Sequence, residues 1–401
     1  MGHIIVIGAG QAGSSCSAKL RNLGYQGDIT LIGAETAPPY QRPPLSKAYL
    51  LGEMERERLY LRPEKFYADQ DITLRLDATV TAISPDAKTV SLGDETLQYD
   101  DLVLTTGSDP RRLPASIGGD LDGIYVVRSL SDVDSMEPEF RQGQRALIVG
   151  GGYIGLEAAA VAAKLGVKVT LLEVADRILK RVAAPETSEY FRNLHRQHGV
   201  DIRESIGLDH LEGDTRVKTA YLSDGTELDV DFVIAGVGIA PADSLAGAAG
   251  LTLENGIKTD SFGRTSDPHV WAAGDCASFP WRDTQMRLES VQNAIDQAEL
   301  VAQNILGEQK SYEPKPWFWS DQFDVKLQIA GLNTGYTHVA VRQDGAATSH
   351  WYYGEDTLLA VDAMNDPRAF MVGKRLIESN KSPSADAISD PNTALKDLLR
   401  A

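Results

Sequence analysis

The chain has 401 residues, of which 42% are hydrophobic and 24% are charged, a composition typical of a folded globular protein. A chain of this length exceeds one hydrophobic core, so we expect two or three domains. The net charge of −18 argues against nucleic acid as a partner. No apolar run reaches membrane-spanning length, because Glu157, Lys164 and Lys168 interrupt the most apolar stretch. The first strand pattern begins without a secretory leader, so we expect a cytoplasmic protein that binds no membrane.

The N-terminal segment predicts a strand, a helix and a second strand, at Ile4–Gly8, Ala12–Leu23 and Asp28–Ile32. The turn before the helix has the form GxGxxG, with its glycines at Gly8, Gly10 and Gly13. In such a fingerprint the first glycine forms a tight turn, the second lets a pyrophosphate approach, and the third lets helix and strand pack closely. The free N–H groups at the helix N-terminus favour phosphate. The segment therefore predicts a dinucleotide site.

The acidic residue that binds a ribose hydroxyl is expected at the end of the second strand of this unit. Gly33 occupies that position, and Glu35 follows two residues later. Glu35 is therefore the candidate, with a solvated loop carboxylate as the alternative reading.

The middle of the chain repeats the same unit, with predicted elements at Ala146–Gly150, Ile154–Leu165 and Lys168–Leu172. Its fingerprint is Gly150–Gly155, and Glu173 stands at the strand end where a ribose 2′-hydroxyl is bound. A carboxylate there repels a 2′-phosphate, which favours NADH over NADPH. Arg177 and Arg181 follow further along the chain and leave NADPH open as the alternative. The repeat predicts two right-handed parallel sheets.

Three further predicted strands end in glycine or acid, at Asp101–Thr106, Phe232–Ala235 and Val270–Ala273. Gly107 follows the first, Gly236–Gly238 the second, and Gly274 with Asp275 the third. Ligands of open α/β sheets bind beyond the carboxyl ends of the strands, so we expect these tips to face cofactors. The Asp275 carboxylate is suited to accept hydrogen bonds from ribityl hydroxyls.

The C-terminal part has a different pattern. Ser290–Leu306 predicts a helix that stops at Gly307, and Pro314–Trp319 predicts a stiff aromatic linker. Alternating or apolar runs between glycine turns then predict a small antiparallel sheet, with strands at Lys326–Ala330, His338–Arg342, Ala346–Tyr353 and Leu358–Asp362. The polar end of the chain predicts a short helix capped by Asp390, with Pro391 in its first turn.

The cysteines and histidines give no metal or thiol signal. Cys16 and Cys276 are the only cysteines and form no CxxC or CxxxxC pair, so we expect two buried thiols rather than a redox disulfide. His195 and His198 lie three apart on a predicted helix without further metal ligands, and we expect solvated helix positions.

The motifs together resemble a family. Five of them occur in the order seen in two-dinucleotide flavoproteins with a glutathione-reductase-like fold: Gly8–Gly13, Thr105–Gly107, Gly150–Gly155, Gly236–Pro241 and Ala272–Asp275. Two more segments, Tyr40–Lys47 and Pro316–Gln322, resemble the flavin-side loop and the C-terminal domain of FAD-dependent NADH:ferredoxin reductases of oxygenase systems, the putidaredoxin reductase type. The resemblance covers nearly the whole chain.

The resemblance implies an α/β fold with two Rossmann-like nucleotide-binding domains and a C-terminal α+β domain. The FAD domain would comprise residues 1–113 and 246–316, the NAD domain residues 114–245, and the C-terminal interface domain residues 317–401. FAD and NADH would be the cofactors. A 2Fe–2S ferredoxin would accept single electrons and feed a cytochrome-type monooxygenase or a dioxygenase.

The resemblance also implies site residues. Lys47 would lie near the flavin N5 edge and pair with Glu157, and Trp319 would lie near the flavin and the ferredoxin face. The ordinary alternatives are a surface lysine, a glutamate on a helix face and a packed aromatic hinge. FAD would be held by Gly8, Gly10, Gly13, Glu35, Arg42, Lys47, Thr106, Gly107, Arg111, Gly274, Asp275 and Val291. NAD would be held by Gly150, Gly152, Tyr153, Ile154, Gly155, Glu173, Gly236 and Gly238.

The missing cysteine pair separates this chain from disulfide reductases of the same architecture and makes the flavin the last redox centre. A rubredoxin reductase is the nearest alternative, since it shares these motifs. An NADH oxidase is a second, although no cysteine stands near Tyr40–Lys47 to serve peroxide chemistry. An apoptosis-inducing-factor-like interaction protein is the alternative from another class. We expect a monomer or weak dimer and no metal site.

Overall fold

The computed structural model describes residues 2–282 and 284–400. The chain divides into two compact units, each built from several segments. The first unit comprises Met1–Arg42, Glu55–Asp109 and Ile239–Pro316. The second comprises Pro43–Met54, Pro110–Gly238 and Trp317–Ala401.

In the described residues the helices are α1 Gln11–Asn22, α2 Glu64–Asp69, α3 Leu130–Met136, α4 Tyr153–Lys164, α5 Pro185–Gln197, α6 Ser244–Ala248, α7 Val291–Ile305, α8 Pro367–Glu378 and α9 Ala385–Ser389. The strands are β1 His3–Ile7, β2 Asp28–Ile32, β3 Ile72–Arg75, β4 Ala82–Ser84, β5 Thr89–Leu92, β6 Glu95–Gln98, β7 Asp101–Leu104, β8 Ser108–Pro110, β9 Ile124–Tyr125, β10 Arg145–Val149, β11 Lys168–Glu173, β12 Asp201–Glu204, β13 Leu208–Gly213, β14 Val217–Leu222, β15 Glu227–Asp229, β16 Phe232–Ala235, β17 Ile239–Pro241, β18 Ile257–Lys258, β19 Val270–Ala272, β20 Ala277–Trp281, β21 Thr284–Met286, β22 Trp317–Gln322, β23 Val325–Gly331, β24 His338–Asp344, β25 Ala347–Gly354 and β26 Thr357–Met364.

The first unit is built on a parallel sheet in the order β19-β7-β1-β2-β3. Helices α1 and α7 pack against each other, and their apolar residues share one core with β1 and β2. Strands β1, β2 and β7 of this sheet are buried almost throughout, as expected for strands covered on both faces. The predicted strand, helix and strand at the N-terminus are confirmed, within one residue at each end.

The second unit repeats this arrangement with a parallel sheet in the order β12-β11-β10-β16-β9. Helix α4 follows β10 and consists mainly of alanine and other small apolar residues, most of them buried. Small side chains let this helix lie close to the strands β10 and β11. The two Rossmann-like units predicted by the sequence repeat are therefore present.

The same unit carries the predicted antiparallel sheet, in the order β22-β23-β26-β25-β24. Helix α8 packs on β23 and β26, and its N-cap Asp366 accepts a hydrogen bond from the backbone N–H of Ala369 at 2.9 Å. The prediction of an aromatic linker at Pro314–Trp319 is wrong in its second half, because Trp317 begins the edge strand β22. Its aromatic residues belong to a hydrogen-bonded ladder.

The predicted cap at Asp390 is also wrong. Helix α9 is capped by Ser384 and ends before Asp390, and the short 3₁₀ helix that follows, Leu395–Leu399, begins after Ala394 and not after Asp390. The Asp390 side chain accepts from Asn392 and Thr393 in a turn. A buried arginine holds this tail: the Arg342 guanidinium donates to the backbone oxygens of Ile388, Asp390, Pro391 and Thr393 at 2.8–3.2 Å.

The two histidines of α5 differ in their surroundings. His198 is exposed and stacks on Phe323 with ring centroids 3.8 Å apart, but His195 is fully buried. The prediction of a solvated position is therefore wrong for His195. Within residues 2–282 and 284–400 no group of histidine, cysteine, aspartate and glutamate side chains is arranged to hold a metal ion. Across the same residues no helix is both long and apolar enough to cross a membrane.

A buried polar cluster joins α5 to the antiparallel sheet. Asp362 is 1% exposed and accepts hydrogen bonds from the hydroxyls of Thr187, at 2.8 Å, and Tyr352. Thr187 Oγ1 also lies 2.7 Å from His350 Nδ1. Burial raises the pKa of Asp362 to about 6, although the two hydroxyl donors oppose that shift. Burial lowers the pKa of His350 to about 4, so this imidazole is neutral at pH 7.

Asp362 therefore makes the stability of the second unit depend on pH. Its pKa is raised from an ordinary value of 3.8, so the folded state holds the proton more tightly than the unfolded state. The stabilisation by this proton is lost as pH rises from about 4 through 6, and the loss amounts to ~3 kcal/mol.

We expect Asp362→Asn to remove this loss from the free energy of unfolding, measured by denaturant titration between pH 4 and 7. Asp344→Asn, an exposed acid on the same sheet, should follow the wild-type pH dependence; parallel curves for wild type and Asp362→Asn would contradict the assignment.

Candidate functional site

In each fingerprint the first and third glycines are required by backbone contacts. A Cβ at Gly8 would lie 2.2 Å from the carbonyl oxygen of Thr105, and a Cβ at Gly13 would lie 2.0 Å from that of Gly8. The same holds in the second unit, where a Cβ at Gly155 would lie 2.2 Å from the oxygen of Gly150. These distances lie well inside van der Waals contact, so the backbones can approach this closely only because these positions carry no Cβ.

The middle glycines have a different explanation. Gly10 and Gly152 have φ of −97° and −82°, which any residue can adopt, and a Cβ at either would meet no atom within 4 Å. Each is the N-cap of its helix, α1 or α4, and neither N-terminus is capped by a side chain. The protein alone gives no reason for glycine there. Open space beside free N–H groups fits a pyrophosphate, so both units fit a dinucleotide.

In the second unit Glu173 is fixed at the end of β11. Its Oε2 accepts from the backbone N–H of Gly151 at 2.9 Å, and its Oε1 accepts from that of Ala175 at 2.8 Å. The carboxylate therefore lies directly against the fingerprint turn, at the position where the adenosine ribose of a dinucleotide binds. Val174, the next residue, is 78% exposed and leaves the site open to solvent.

In the first unit Glu35 is not a free loop carboxylate. It accepts hydrogen bonds from Tyr40 Oη and Arg42 Nη2, each at 2.6 Å, and the Arg42 guanidinium lies over the Tyr40 ring. Burial lowers the pKa of Arg42, but Tyr40 and Glu35 outweigh it and raise the pKa overall. The field of Asp275 contributes to the same increase, which places Arg42 and Asp275 in one electrostatic neighbourhood.

The strand tips of the first unit meet around Asp275. Ser108 Oγ donates to Asp275 Oδ2 at 3.1 Å, and Gly274 N donates to Gln297 Oε1 at 2.8 Å. Thr106 Oγ1 donates to the Ala242 carbonyl oxygen, and the Gly107 carbonyl oxygen accepts from the Ala242 N–H. Val291 is the first residue of α7, directly after the N-cap Ser290.

The predicted pair of Lys47 and Glu157 is formed within the second unit. Lys47 Nζ lies 2.9 Å from Glu157 Oε1, and the side chains are 15% and 6% exposed. Two serines also donate hydrogen bonds to the Glu157 carboxylate: Ser46 Oγ to Oε2 and Ser320 Oγ to Oε1, each at 2.7 Å. The carboxylate is held by one cation and two hydroxyls. A buried charge needs such partners.

Other predicted residues of the second unit surround its fingerprint. Ile154 is 44% exposed at the start of α4, as a residue facing a ligand would be. Tyr153 packs on Phe318 with ring centroids 5.1 Å apart, and its hydroxyl is buried with no hydrogen-bond partner among the described residues. Burial, and then the nearby Asp362, raises the Tyr153 pKa well above its ordinary value.

Gly236, Gly238, Arg111 and Trp319 complete the predicted set. The Gly236 carbonyl contacts the fingerprint turn at Gly150, and Gly238, at φ +98°, accepts from the Arg111 N–H at 2.9 Å. Trp319 is half-buried on β22 and stacks on Trp317 with ring centroids 5.5 Å apart.

Both thiols are buried, as predicted. Cys16 lies in α1 and Cys276 follows β19, and neither forms a disulfide. Burial raises the pKa of Cys16 to about 12 and also raises that of Cys276, which keeps both thiols protonated and unreactive at pH 7.

Sequence reasoning missed four residues of the site. Ser46, Ser320 and Gln297 are common polar residues without a local motif. His195 was predicted to be exposed to solvent. Ser46 and Ser320 do lie inside the two segments that carried the resemblance, Tyr40–Lys47 and Pro316–Gln322, and this position was the available signal.

Comparison with known proteins identifies the family. Residues 2–298 match the family model for pyridine nucleotide-disulphide oxidoreductases, and residues 317–399 match the model described as a reductase C-terminal domain. The chain belongs to the pyridine nucleotide-disulphide oxidoreductase family. It is an oxidoreductase whose cofactors are FAD and a nicotinamide nucleotide, and the two open fingerprints fit two dinucleotides. The predicted two-dinucleotide fold is confirmed.

Several relatives match this chain along nearly its whole length. The chain is 43% identical to a ferredoxin–NAD(P)+ reductase of Sphingomonas sp., over 99% of this chain and 97% of the relative. The solved covalent putidaredoxin reductase–putidaredoxin complex has a TM-score of 0.96 and 40% identity over 100% of this chain and 98% of that chain. A rubredoxin-NAD+ reductase of Pseudomonas putida is 34% identical over 91% and 96%.

The open space at Gly10 predicts the effect of a methyl group there. The Gly10→Ala apoprotein should keep the wild-type melting temperature, because the Cβ meets no protein atom, but it should bind FAD at least about tenfold more weakly, equivalent to ~1.4 kcal/mol. The measurement is FAD titration of the apoprotein. Gly207→Ala is the matched control, because its Cβ would make only ordinary contacts at 3.8 and 3.9 Å. Equal FAD affinity of Gly10→Ala and wild type would show that the space does not hold the cofactor.

The charge of Glu173 predicts the choice of nicotinamide nucleotide. Wild type should prefer NADH, and Glu173→Gln should raise kcat/KM for NADPH relative to NADH about tenfold, because repulsion of the 2′-phosphate is removed. Steady-state kinetics with both nucleotides measure the ratio. Asp176→Asn, an exposed acid paired with Lys180, should leave the ratio unchanged. If Glu173→Gln keeps the wild-type ratio, discrimination lies elsewhere.

Proposed function

We propose that this chain is an FAD-dependent NADH:ferredoxin reductase. It would take a hydride from NADH and pass single electrons to a 2Fe–2S ferredoxin that serves a cytochrome-type monooxygenase or a dioxygenase. The observation that carries the proposal is the absence of a reactive thiol pair in a chain that otherwise has the disulphide oxidoreductase architecture. Electrons that no dithiol accepts must leave for another molecule.

Each of the two units would bind one of the two nucleotides. The first unit, with Gly10, Arg42 and Asp275, would hold FAD, and the second, with Gly152 and Glu173, would hold NADH. When bound, FAD links the two-electron chemistry of NADH to the one-electron chemistry of an iron–sulfur protein. The residues bind and orient the nucleotides, and no side chain needs to transfer a proton to the substrate in this reaction.

The nature of the electron acceptor is supported by the relatives. Those of highest similarity described above are named for ferredoxin or were solved with putidaredoxin, whereas the rubredoxin reductase is less similar. The C-terminal region, residues 317–399, also matches the reductase C-terminal family over its full extent. Rubredoxin reduction is the second candidate, since that relative too is matched over nearly its whole length.

Further expectations belong to the same proposal. The FAD domain at 1–113 and 246–316, the NAD domain at 114–245 and the interface domain at 317–401 stay predictions, as do the roles of Lys47, Glu157 and Trp319 near the flavin. We also propose a cytoplasmic monomer or weak dimer that binds no nucleic acid. The net charge of −18 supports the last of these expectations, because it repels nucleic acid.

The test is reduction of cytochrome c by the purified holoenzyme. NADH should bleach the flavin absorbance anaerobically, and added 2Fe–2S ferredoxin should stimulate cytochrome c reduction at least about tenfold over the enzyme alone. The same assay is run with NADPH in place of NADH and with rubredoxin in place of the ferredoxin. Stimulation by rubredoxin alone would support the second candidate, and flavin that NADH does not bleach would disprove both.

A further inference from the structure

A chain of buried hydrogen bonds runs through the second unit to Glu157. His195 Nε2 lies 2.8 Å from Gln322 Oε1, and Gln322 Nε2 donates to Ser320 Oγ at 3.1 Å. Ser320 Oγ in turn donates to Glu157 Oε1 at 2.7 Å. His195, Gln322 and Ser320 are each 0% exposed, and Glu157 is 5% exposed. The chain therefore joins α5, β22 and α4 out of contact with solvent.

The carboxylate sets the direction of every bond in this chain. Glu157, paired with Lys47, only accepts hydrogen bonds, so Ser320 must use its single proton toward it. Gln322 must then present its NH₂ group to Ser320 and its carbonyl oxygen to His195. His195 must then donate from Nε2, which leaves Nδ1 unprotonated. Nδ1 has no hydrogen-bond partner among the described residues. Burial lowers the His195 pKa to about 4, which agrees with a neutral ring.

A chain in which each group donates toward one carboxylate is polarised, and its bonds strengthen one another. Glu157 Oε1 is shared between Ser320 and Lys47 Nζ, and Oε2 is taken by Ser46. Among the described residues, Lys47 is the charged group in contact with Glu157. The carboxylate is therefore held through Oε2 by Ser46 and through Oε1 by Ser320 of β22, and it is Oε1, the oxygen that Ser320 binds, that contacts the Lys47 ammonium.

We propose that Ser320 and Gln322 are positioning residues for the Lys47–Glu157 pair. They act through Glu157 and do not touch a reacting atom. Their effect on flavin reduction rests on the proposed function, in which Lys47 lies near the flavin. Both residues belong to β22, the strand whose alternate positions carry Trp317 and Trp319, so one strand would present aromatic rings on one face and orient the ion pair from the other.

The direction of the chain is tested on the protein without any substrate. In ¹⁵N-labelled holoenzyme, long-range ¹H–¹⁵N NMR should show His195 neutral and protonated at Nε2 at pH 7, and still neutral at pH 5. In Ser320→Ala the Gln322 amide loses its acceptor and is free to turn, so His195 should lose the pure Nε2–H form. A wild-type ring protonated at Nδ1, or charged at pH 7, would overturn the proposal.

The positioning role is tested by stopped-flow reduction of the bound flavin with NADH. Ser320→Ala should lower the limiting rate constant about tenfold, the value expected for one hydrogen bond to a charged group, with the half-saturating NADH concentration unchanged. Ser320→Thr keeps the hydroxyl and should restore the rate. Ser349→Ala is the matched control, because Ser349 is equally buried in the same sheet and bonds Trp351 instead.

A wild-type rate in Ser320→Ala would overturn the positioning role, whichever tautomer His195 adopts. If Ser320→Ala does not fold, Gln322→Met removes the donor to Ser320 one step further from Glu157, and the same tautomer and rate measurements apply. Wild-type flavin that NADH does not reduce would disprove the proposed function, while the tautomer measurement would still test the chain.

Discussion

In both nucleotide-binding units the first helix lies directly on the turn that precedes it, and no side chain fits between them. A Cβ at Gly13 or Gly155 would lie about 2 Å from the carbonyl oxygen of the fingerprint's first glycine. This contact aims the N-terminus of α1 or α4 past the end of its sheet, where the uncapped N–H groups and the open space at Gly10 and Gly152 can receive phosphate. The cofactor sites depend on this backbone contact.

A second constraint is the cost of burying charge and polar groups in the second unit. The Glu157 carboxylate is held by Lys47 and two hydroxyls, and a line of donors reaches it from His195. Asp362, in the other buried cluster, accepts from the hydroxyls of Thr187 and Tyr352, and burial raises its pKa in spite of these two donors. Each of the two buried carboxylates is thus held by partners that the fold supplies, a cation and two hydroxyls for Glu157 and two hydroxyls for Asp362.

The sequence predicted the two Rossmann-like units to within a residue or so because their signals are local. Apolar strands, glycine spacing and an acid about twenty residues on all lie inside one βαβ segment. Glu173 was found in this way, and its backbone partners Gly151 and Ala175 are near it in the chain. Helix caps at the C-terminus were less reliable, because several polar residues there can cap: Ser384 caps α9, whereas Asp390 accepts hydrogen bonds within a turn and caps no helix.

By itself, then, the sequence determined the fold class, the two dinucleotide fingerprints and the absence of a redox dithiol, since composition and short-range pattern carry each of these. Only the tertiary structure decided that Trp317 begins a strand, that His195 is buried, and that Ser46 and Ser320 hold Glu157. The contacts of His195, Ser46 and Ser320 join residues more than 100 positions apart, such as His195 with Gln322 and Glu157 with Ser320. A serine or histidine gives no local sign of a distant partner, because its environment is set by the packing of whole elements and not by its neighbours in the chain.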